Sequence, residues 1–251
     1  MGLPIPTCPP GTGACVIWDT LTADIVSSGM GPGQEHERLA VAVLVSGAGT
    51  NLQALLGTVH GQEADVVAVA SSRADAPALE RARAAEVPTR VFEVGDFSDR
   101  PARDRALADW LLERGARLVV LAGYMQLLGA GFLARFPDAV INVHPALLPA
   151  FPGVRAIEQA LEYGVKVFGV SVHFVDEGVD TGPIILQRAL ELPDARDPDE
   201  VRARLRPLEH ELLSEAVRLY ARGALRRDPD RPRRVRIDVS APGAPPGGAP
   251  S

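Results

Sequence analysis

The stretch Leu39-Ala40-Val41-Ala42-Val43-Leu44-Val45-Ser46-Gly47-Ala48-Gly49-Thr50-Asn51-Leu52-Gln53 decides how the rest of the chain is read. Residues 39–46 read as a strand buried on both faces, an apolar run rich in β-branched residues that closes on Ser46. Residues 50–59, TNLQALLGTV, follow with the composition of a helix. Strand, glycine turn and helix in direct succession open an alternating β/α layout. The turn admits two readings. Glycines let backbone amides approach a ligand, and a helix start adds unpaired N–H groups and partial positive charge, which suits an anion. Equally, the turn is a tight connection with Thr50 as helix N-cap. It carries neither the third glycine of a dinucleotide fingerprint nor the lysine of a P-loop.

Outward from this point the alternation continues. Strands are predicted at 64–72 (ADVVAVASS), 88–94 (PTRVFEV), 117–123 (RLVVLAG) and 139–144 (AVINVH). Helices are predicted at 76–86, 99–117 and 154–164, the last stopped by Gly164. Residues 166–176 and 183–192 read as strands that pair antiparallel. Residues 198–223 read as a helix with a break expected near Pro207. Residues 234–239 read as a final edge strand. The fold class is α/β, a mostly parallel doubly wound sheet whose C-terminal half is antiparallel. The expected catalytic domain is 38–240, between an N-terminal extension (1–37) of low order and a disordered Pro/Gly-rich tail (241–251). Met30 is an alternative start of translation to Met1.

Three groups of polar residues interrupt this pattern. On a strand, residues two apart share a face, so Asn142 and His144 point together and Pro145 ends the ladder. Ligands of doubly wound sheets bind at the carboxyl ends of strands. There an amide donor beside an imidazole suits stabilisation of an oxyanion together with proton transfer. The plainer reading is two hydrogen-bonded residues closing a strand. The link 176–183 brackets Asp180 between Gly178 and Gly182. Brought near His144, that carboxylate would raise the imidazole pKa and orient the ring; by spacing alone it is an exposed acidic turn. His173 reads as a structural histidine.

Composition narrows the function classes. Lys+Arg 26 against Asp+Glu 32 gives a net charge of −6, which disfavours phosphate backbones as partners, so no nucleic acid is expected. The 2 cysteines and 5 histidines show no metal-ligand spacing, and no metal is expected. No basic residue precedes Arg38, so no secretory signal is expected, and the cytoplasm is the expected location. The apolar stretch 118–134 is interrupted by Gly123, Gly129 and Gly131 and followed by Arg135, so no membrane span is expected.

Five blocks then occur in order: SGAGTNLQ (46–53), LAGYMQLL (121–128), INVHPALLPAFPG (141–153), GVSVHFVDEGVDTGPI (169–184) and Glu209-His210. Together they resemble the phosphoribosylglycinamide formyltransferases. The Asn-His-Pro and HFV…D…GP blocks are shared by the wider group that uses 10-formyltetrahydrofolate, and the SGAGTN loop is specific to the glycinamide ribonucleotide branch. The resemblance implies a Rossmann-like, mononucleotide-binding half joined to a folate-binding half. It also implies formyl transfer from 10-formyltetrahydrofolate to the amine of glycinamide ribonucleotide, a step of de novo purine biosynthesis. Asn142, His144 and Asp180 match the catalytic trio, Asn142 also facing the folate. Gly49, Thr50, Asn51 and Glu209 match the ribonucleotide contacts. Arg100, Met125, Gln126, Leu127 and Leu128 match the folate side, with Gln126 standing where the family usually has a basic residue. A monomer or homodimer is expected. Two other readings use the same residues: a 10-formyltetrahydrofolate deformylase with water as nucleophile, and a non-catalytic nucleotide-binding protein on the same fold. The deformylase is disfavoured because residues 1–38 are too few for its regulatory domain, and because it has no use for a phosphate loop. Formylation of methionyl-tRNA is disfavoured by the net charge and by the lack of a basic C-terminal domain.

Overall fold

Apolar continuity sets the centre of the fold. β1 (Leu39–Val45) is buried along almost its whole length, and it pairs in parallel with β2 (Ala64–Ser71) on one side and β4 (Leu118–Leu121) on the other. The computed structural model describes residues 38–238, so the readings made for 1–37, for the start at Met1 or Met30, and for 239–251 lie outside the described residues. A single 7-stranded sheet runs in the order β3-β2-β1-β4-β5-β6-β7, with β3 at Thr89–Val91, β5 at Val140–His144, β6 at Val167–Phe174 and β7 at Ile184–Glu191. β1 to β5 are mutually parallel, whereas β6 and β7 are antiparallel to their neighbours. This is the mixed α/β sheet expected from the sequence. Because the chain winds outward from β1 in both directions, the carboxyl ends of β1, β4 and β5 share one edge, where crevices form.

Helices α1 (Thr50–Thr58), α2 (Ala78–Ala84), α3 (Arg100–Glu113), α4 (Ala130–Leu133), α5 (Ala156–Tyr163) and α6 (Pro198–Ala221) connect the strands. α3 starts where Asp99 accepts a hydrogen bond from the Ala102 N–H at 2.7 Å, and it ends short of the predicted 117. Its chain then reverses through Gly115 at φ +75°, a conformation that favours glycine.

Three sequence expectations need correction. α6 runs unbroken through Pro207. A proline inside a helix costs about 3 kcal/mol, but α6 buries Val201 and Leu205 before Pro207 and Leu212, Leu213, Ala216 and Val217 after it. Burial at roughly 1.5–3 kcal/mol per large side chain on both sides of Pro207 outweighs that cost. The strand expected at 88–94 is cut to three residues, because β2 offers partners only from Val69 to Ser71; Phe92 then turns into the core. The last strand does not join the main ladder. β8 (Leu225–Arg227) and β9 (Val235–Ile237) form a separate antiparallel hairpin, touching the large sheet through an isolated bridge from Arg234 to Ile184.

The β6–β7 ladder has one irregularity, at His173. Val172 faces Leu186 but His173 faces Ile184, so Ile185 is an extra, buried residue in β7. On its other side β6 keeps strict register with β5, placing His173 opposite Asn142 and Ser171 opposite His144.

Candidate active site

The phosphate-loop reading and the tight-turn reading separate at the first turn of α1. Gly49, at φ +72°, is the N-cap, and no side chain caps the helix. Thr50 is the first helical residue, so the reading of Thr50 as N-cap does not hold. A Cβ on Gly49 would lie 2.5 Å from the Cβ of Ala78, so only glycine fits between loop and α2. The turn is therefore built around bare amides at a helix start, an arrangement favourable to an anion. Arg81, which the sequence reading missed, clasps this loop: its Nε donates to the Ala48 carbonyl at 2.9 Å and a terminal nitrogen to Gln53 Oε1 at 3.1 Å.

Asn51 and Glu209 meet although far apart in sequence, Asn51 Nδ2 donating to Glu209 Oε2 at 3.1 Å. Burial pushes the Glu209 carboxyl above its usual range, while Asn51, Arg206 and Arg202 pull it down less strongly. The Asn51 Oδ1 and His210 Nε2 atoms are buried without a hydrogen-bond partner. Unpaired buried polar atoms are rare, and Asn51 Oδ1, in the first turn beside the anion-favouring loop, marks a place where a polar ligand would complete the bonding.

The second cluster sits at the end of β5. β5–β6 register puts His173 beside Asn142 on one face, and the 176–183 loop folds back so that Asp180 joins them. Asn142 Nδ2 donates to Asp180 Oδ1 at 3.2 Å and lies 3.2 Å from His173 Nε2. His173 Nδ1 is 2.8 Å from the Phe174 carbonyl, which only accepts; the proton is therefore on Nδ1, and Nε2 accepts from Asn142. Asp180 Oδ2 accepts from the Gly153 N–H at 2.8 Å and lies 3.3 Å from His144 Nδ1. His144 Nε2 is 2.8 Å from the Phe151 carbonyl. So the carboxylate reaches the imidazole, and His173 belongs to the same cluster instead of standing apart as a structural residue. The signal for it was available only through strand register.

Burial pushes the Asp180 carboxyl up, but its contact with His173, the Gly153 N–H and the charges of His144 and His173 outweigh burial and hold it at about 2. Burial pulls His144 below its ordinary value; Asp180 and the Phe151 carbonyl pull upward and are outweighed. The expectation that Asp180 makes His144 more basic is thus right for the pairwise effect and wrong for the net result. Asp180 also sits at φ +53°, a left-handed conformation that costs energy and persists where surroundings enforce it. A Cβ on Gly182 would fall 1.7 Å from the Phe174 carbonyl oxygen, so the loop closes tightly behind Asp180.

A cleft of about 220 Å³ opens onto this cluster, with Leu121, Tyr124, Val143, Val175 and the 125–128 loop among its walls. The Tyr124 hydroxyl is buried without a partner, and burial holds its pKa up at about 12. A largely apolar cleft that ends in polar side chains fits a flat heteroaromatic ring with a polar edge. Arg100 lies in an adjoining hollow with Met125, Gln126 and Leu127. A buried basic side chain lies beneath Gln126. Arg103 forms an ion pair with Asp104 at 2.8 Å, and it donates to the Leu127 carbonyl at 2.8 Å and to Gln126 Oε1 at 3.3 Å. Asp104 in turn accepts from the Gly129 N–H at 2.8 Å, so the pair pins both ends of the 125–129 loop. Arg103→Met leaves the buried Asp104 charge unpaired and is expected to cost about 3–5 kcal/mol of stability. Urea unfolding measures this, and a loss below about 1 kcal/mol would show that the pair is not a strut.

No hydrogen bond or ion pair joins Asn51 or Glu209 directly to the trio among the described residues. Ser46, at the start of the glycine loop, ties that loop to the 125–128 loop: its hydroxyl accepts from the Met125 N–H at 2.9 Å and lies 2.6 Å from that of Ser72.

The formyl transferase family matches residues 39–217, which include β1 to β7, the trio and Glu209. The chain belongs to the formyl transferase family. It is 38% identical over 188 residues to the phosphoribosylglycinamide formyltransferase of Haemophilus influenzae, covering 74% of this chain and 89% of that protein. It is 41% identical over 194 residues to the trifunctional purine biosynthetic protein adenosine-3 of Drosophila pseudoobscura pseudoobscura, covering 76% of this chain but only 14% of that longer protein. The crystal structure of glycinamide ribonucleotide transformylase 1 from Symbiobacterium toebii superposes with a TM-score of 0.78 at 46% identity, covering 84% of this chain and 99% of that one. No helix among the described residues is long and apolar enough to cross a membrane.

Proposed function

We propose that this formyl transferase moves a formyl group from 10-formyltetrahydrofolate to the amine of glycinamide ribonucleotide. The observation that carries the reading is the pairing of two unlike subsites on one sheet edge, an uncapped glycine loop with an unsatisfied polar atom and an apolar cleft ending in Asn142, His144 and Asp180. The catalytic domain in this reading is 38–240, acting in the cytoplasm as a monomer or homodimer.

The folate co-substrate supplies an electrophilic formyl carbon, and the chain's residues do the rest. The backbone amides at Gly49 and Thr50, with Asn51 and Glu209, hold the ribonucleotide. Arg100 and the 125–128 loop hold the folate. Holding both together makes a covalent enzyme intermediate unnecessary. Asn142 gives one of its two N–H groups to the oxygen on which negative charge develops. His144 donates from Nε2 to the same oxygen, in the way it now donates to the Phe151 carbonyl. Asp180, ionised with its pKa at about 2, holds a water through which the proton lost by the attacking amine passes to the leaving nitrogen. No net proton is gained or lost.

The two subsites are separable by experiment. Asn51→Ala removes the partner of Glu209 and a ligand-facing amide, so ribonucleotide affinity is expected to fall about tenfold, the worth of one charge-assisted hydrogen bond. Folate affinity is expected to stay within about twofold. Calorimetric titration of each ligand decides; the reverse pattern would misplace the two substrates. Assay with and without the amine distinguishes transfer from hydrolysis.

A further inference from the structure

The family match ends at residue 217, yet the chain continues into the β8–β9 hairpin, which returns to the catalytic edge. We propose that this hairpin, through Arg233, is a positioning element for the loop that carries Asp180. A terminal nitrogen of Arg233 donates to the Thr181 carbonyl at 2.8 Å, one residue beyond Asp180. Next to it, Arg234 bridges to Ile184 at the start of β7. The loop is thus held from outside at both 181 and 184.

The hairpin is stiff enough to act as a strut. Its turn is closed by Asp228, whose carboxylate is buried, pairs with Arg236 at 2.6 Å and accepts from the Asp230 N–H at 3.1 Å. The Asp228 N–H donates to the Arg234 carbonyl at 2.9 Å, and the Arg234 N–H to the Arg231 carbonyl at 2.7 Å, which fixes the backbone on either side of Arg233. On the same side, beside the turn, Arg227 bonds Asp138 at 2.5 Å, two residues before β5. The hairpin therefore spans from the entry of the strand bearing Asn142 and His144 to the loop bearing Asp180.

The loop needs such support. Asp180 is held at φ +53°, and a strained residue stays in place only where neighbours over-determine it. Inside the loop, Thr181 Oγ1 donates to Asp176 Oδ1 at 2.6 Å and the Gly178 N–H to the same atom at 3.1 Å. On the cleft side Asp180 is held by Asn142 and the Gly153 N–H. Arg233 supplies the bond on the solvent side. Arg233 is itself exposed, so its removal has little to cost the core.

The inference rests on the assignment of Asp180 to catalysis, and the test keeps the two apart. The full chain carrying Arg233→Ala, Arg233→Lys or Asp180→Asn is assayed for kcat and both KM values, with thermal midpoints alongside. A misplacement of ~1 Å costs up to about a hundredfold in rate, and loss of this one bond is expected to lower kcat about tenfold. Both KM values are expected to hold within about twofold and the thermal midpoint to stay unchanged. Arg233→Lys, which keeps a donor, is expected to recover most of the rate. Wild-type kcat in Arg233→Ala, a change confined to KM, or a loss that lysine does not restore overturns the positioning role. An inactive Asp180→Asn beside an unaffected Arg233→Ala leaves the site reading standing and this inference alone refuted. An active Asp180→Asn refutes both.

Discussion

Asp180→Asn is expected to lower kcat by roughly a hundredfold to ten-thousandfold, the span of a lost general acid–base group. The replacement keeps the size and the oxygen that accepts from the Gly153 N–H, so the fold is expected to survive. What goes is the charge. Its pKa of about 2 keeps the carboxylate ionised across any working pH, so the loss is expected at every pH instead of appearing as a shifted limb. The sign for His144 follows from the opposing pulls on it. Burial already lowers its pKa and Asp180 is the largest influence raising it, so the imidazole of Asp180→Asn titrates at still lower pH. NMR titration of His144 checks this, and an unmoved titration with full activity would remove Asp180 from the mechanism. Stability obeys its own rule. A depressed folded pKa contributes stability above the unfolded value near 4, and that contribution fades as pH falls toward 2. Asp180→Asn is therefore expected to flatten the acid side of the stability profile.

Asn142→Ala is the second large effect, expected at about a hundredfold to a thousandfold in kcat, or about 3–4 kcal/mol. Both N–H groups of Asn142 are engaged before substrate arrives, one with Asp180 and one with His173. Alanine removes the donor to the developing oxyanion and also releases Asp180 from one of its holds. A loss in kcat with near-normal KM for both substrates separates this from lost binding. Folding is expected to change little, and an active Asn142→Ala enzyme would refute the oxyanion role.

Much of the layout was legible because it rests on local chemistry. Continuous apolar runs gave the parallel strands, and the period of two gave the shared face of Asn142 and His144. The glycine turn was visible too, although only the structure separated an uncapped helix start at Gly49 from a cap at Thr50. What escaped depended on contacts distant in sequence. His173 joins the cluster because β5 and β6 are in one register, which no local pattern encodes. Arg103 falls inside the helix predicted at 99–117, where no local pattern marks it, and only burial against Asp104 and the 125–129 loop makes it a strut. Pro207 was read by its local cost, while the packing on either side of it decides the outcome. The net direction of the His144 pKa also needed burial, a property of the whole fold.

The extra residue in β7 has a consequence for how this chain tolerates change in length. Because side chains alternate along a strand, gaining or losing one residue within β5 or β6 would turn Asn142 and His173 to opposite faces and dismantle the cluster. β7 already carries a surplus residue at Ile185, beside His173, and the ladder beyond it regains alignment. An insertion or deletion on the outermost strand is therefore absorbed at a joint that exists, and does not propagate inward. A change in length is thus tolerated best at the rim of the sheet, while the inner pair of strands keeps the spacing on which the cluster depends.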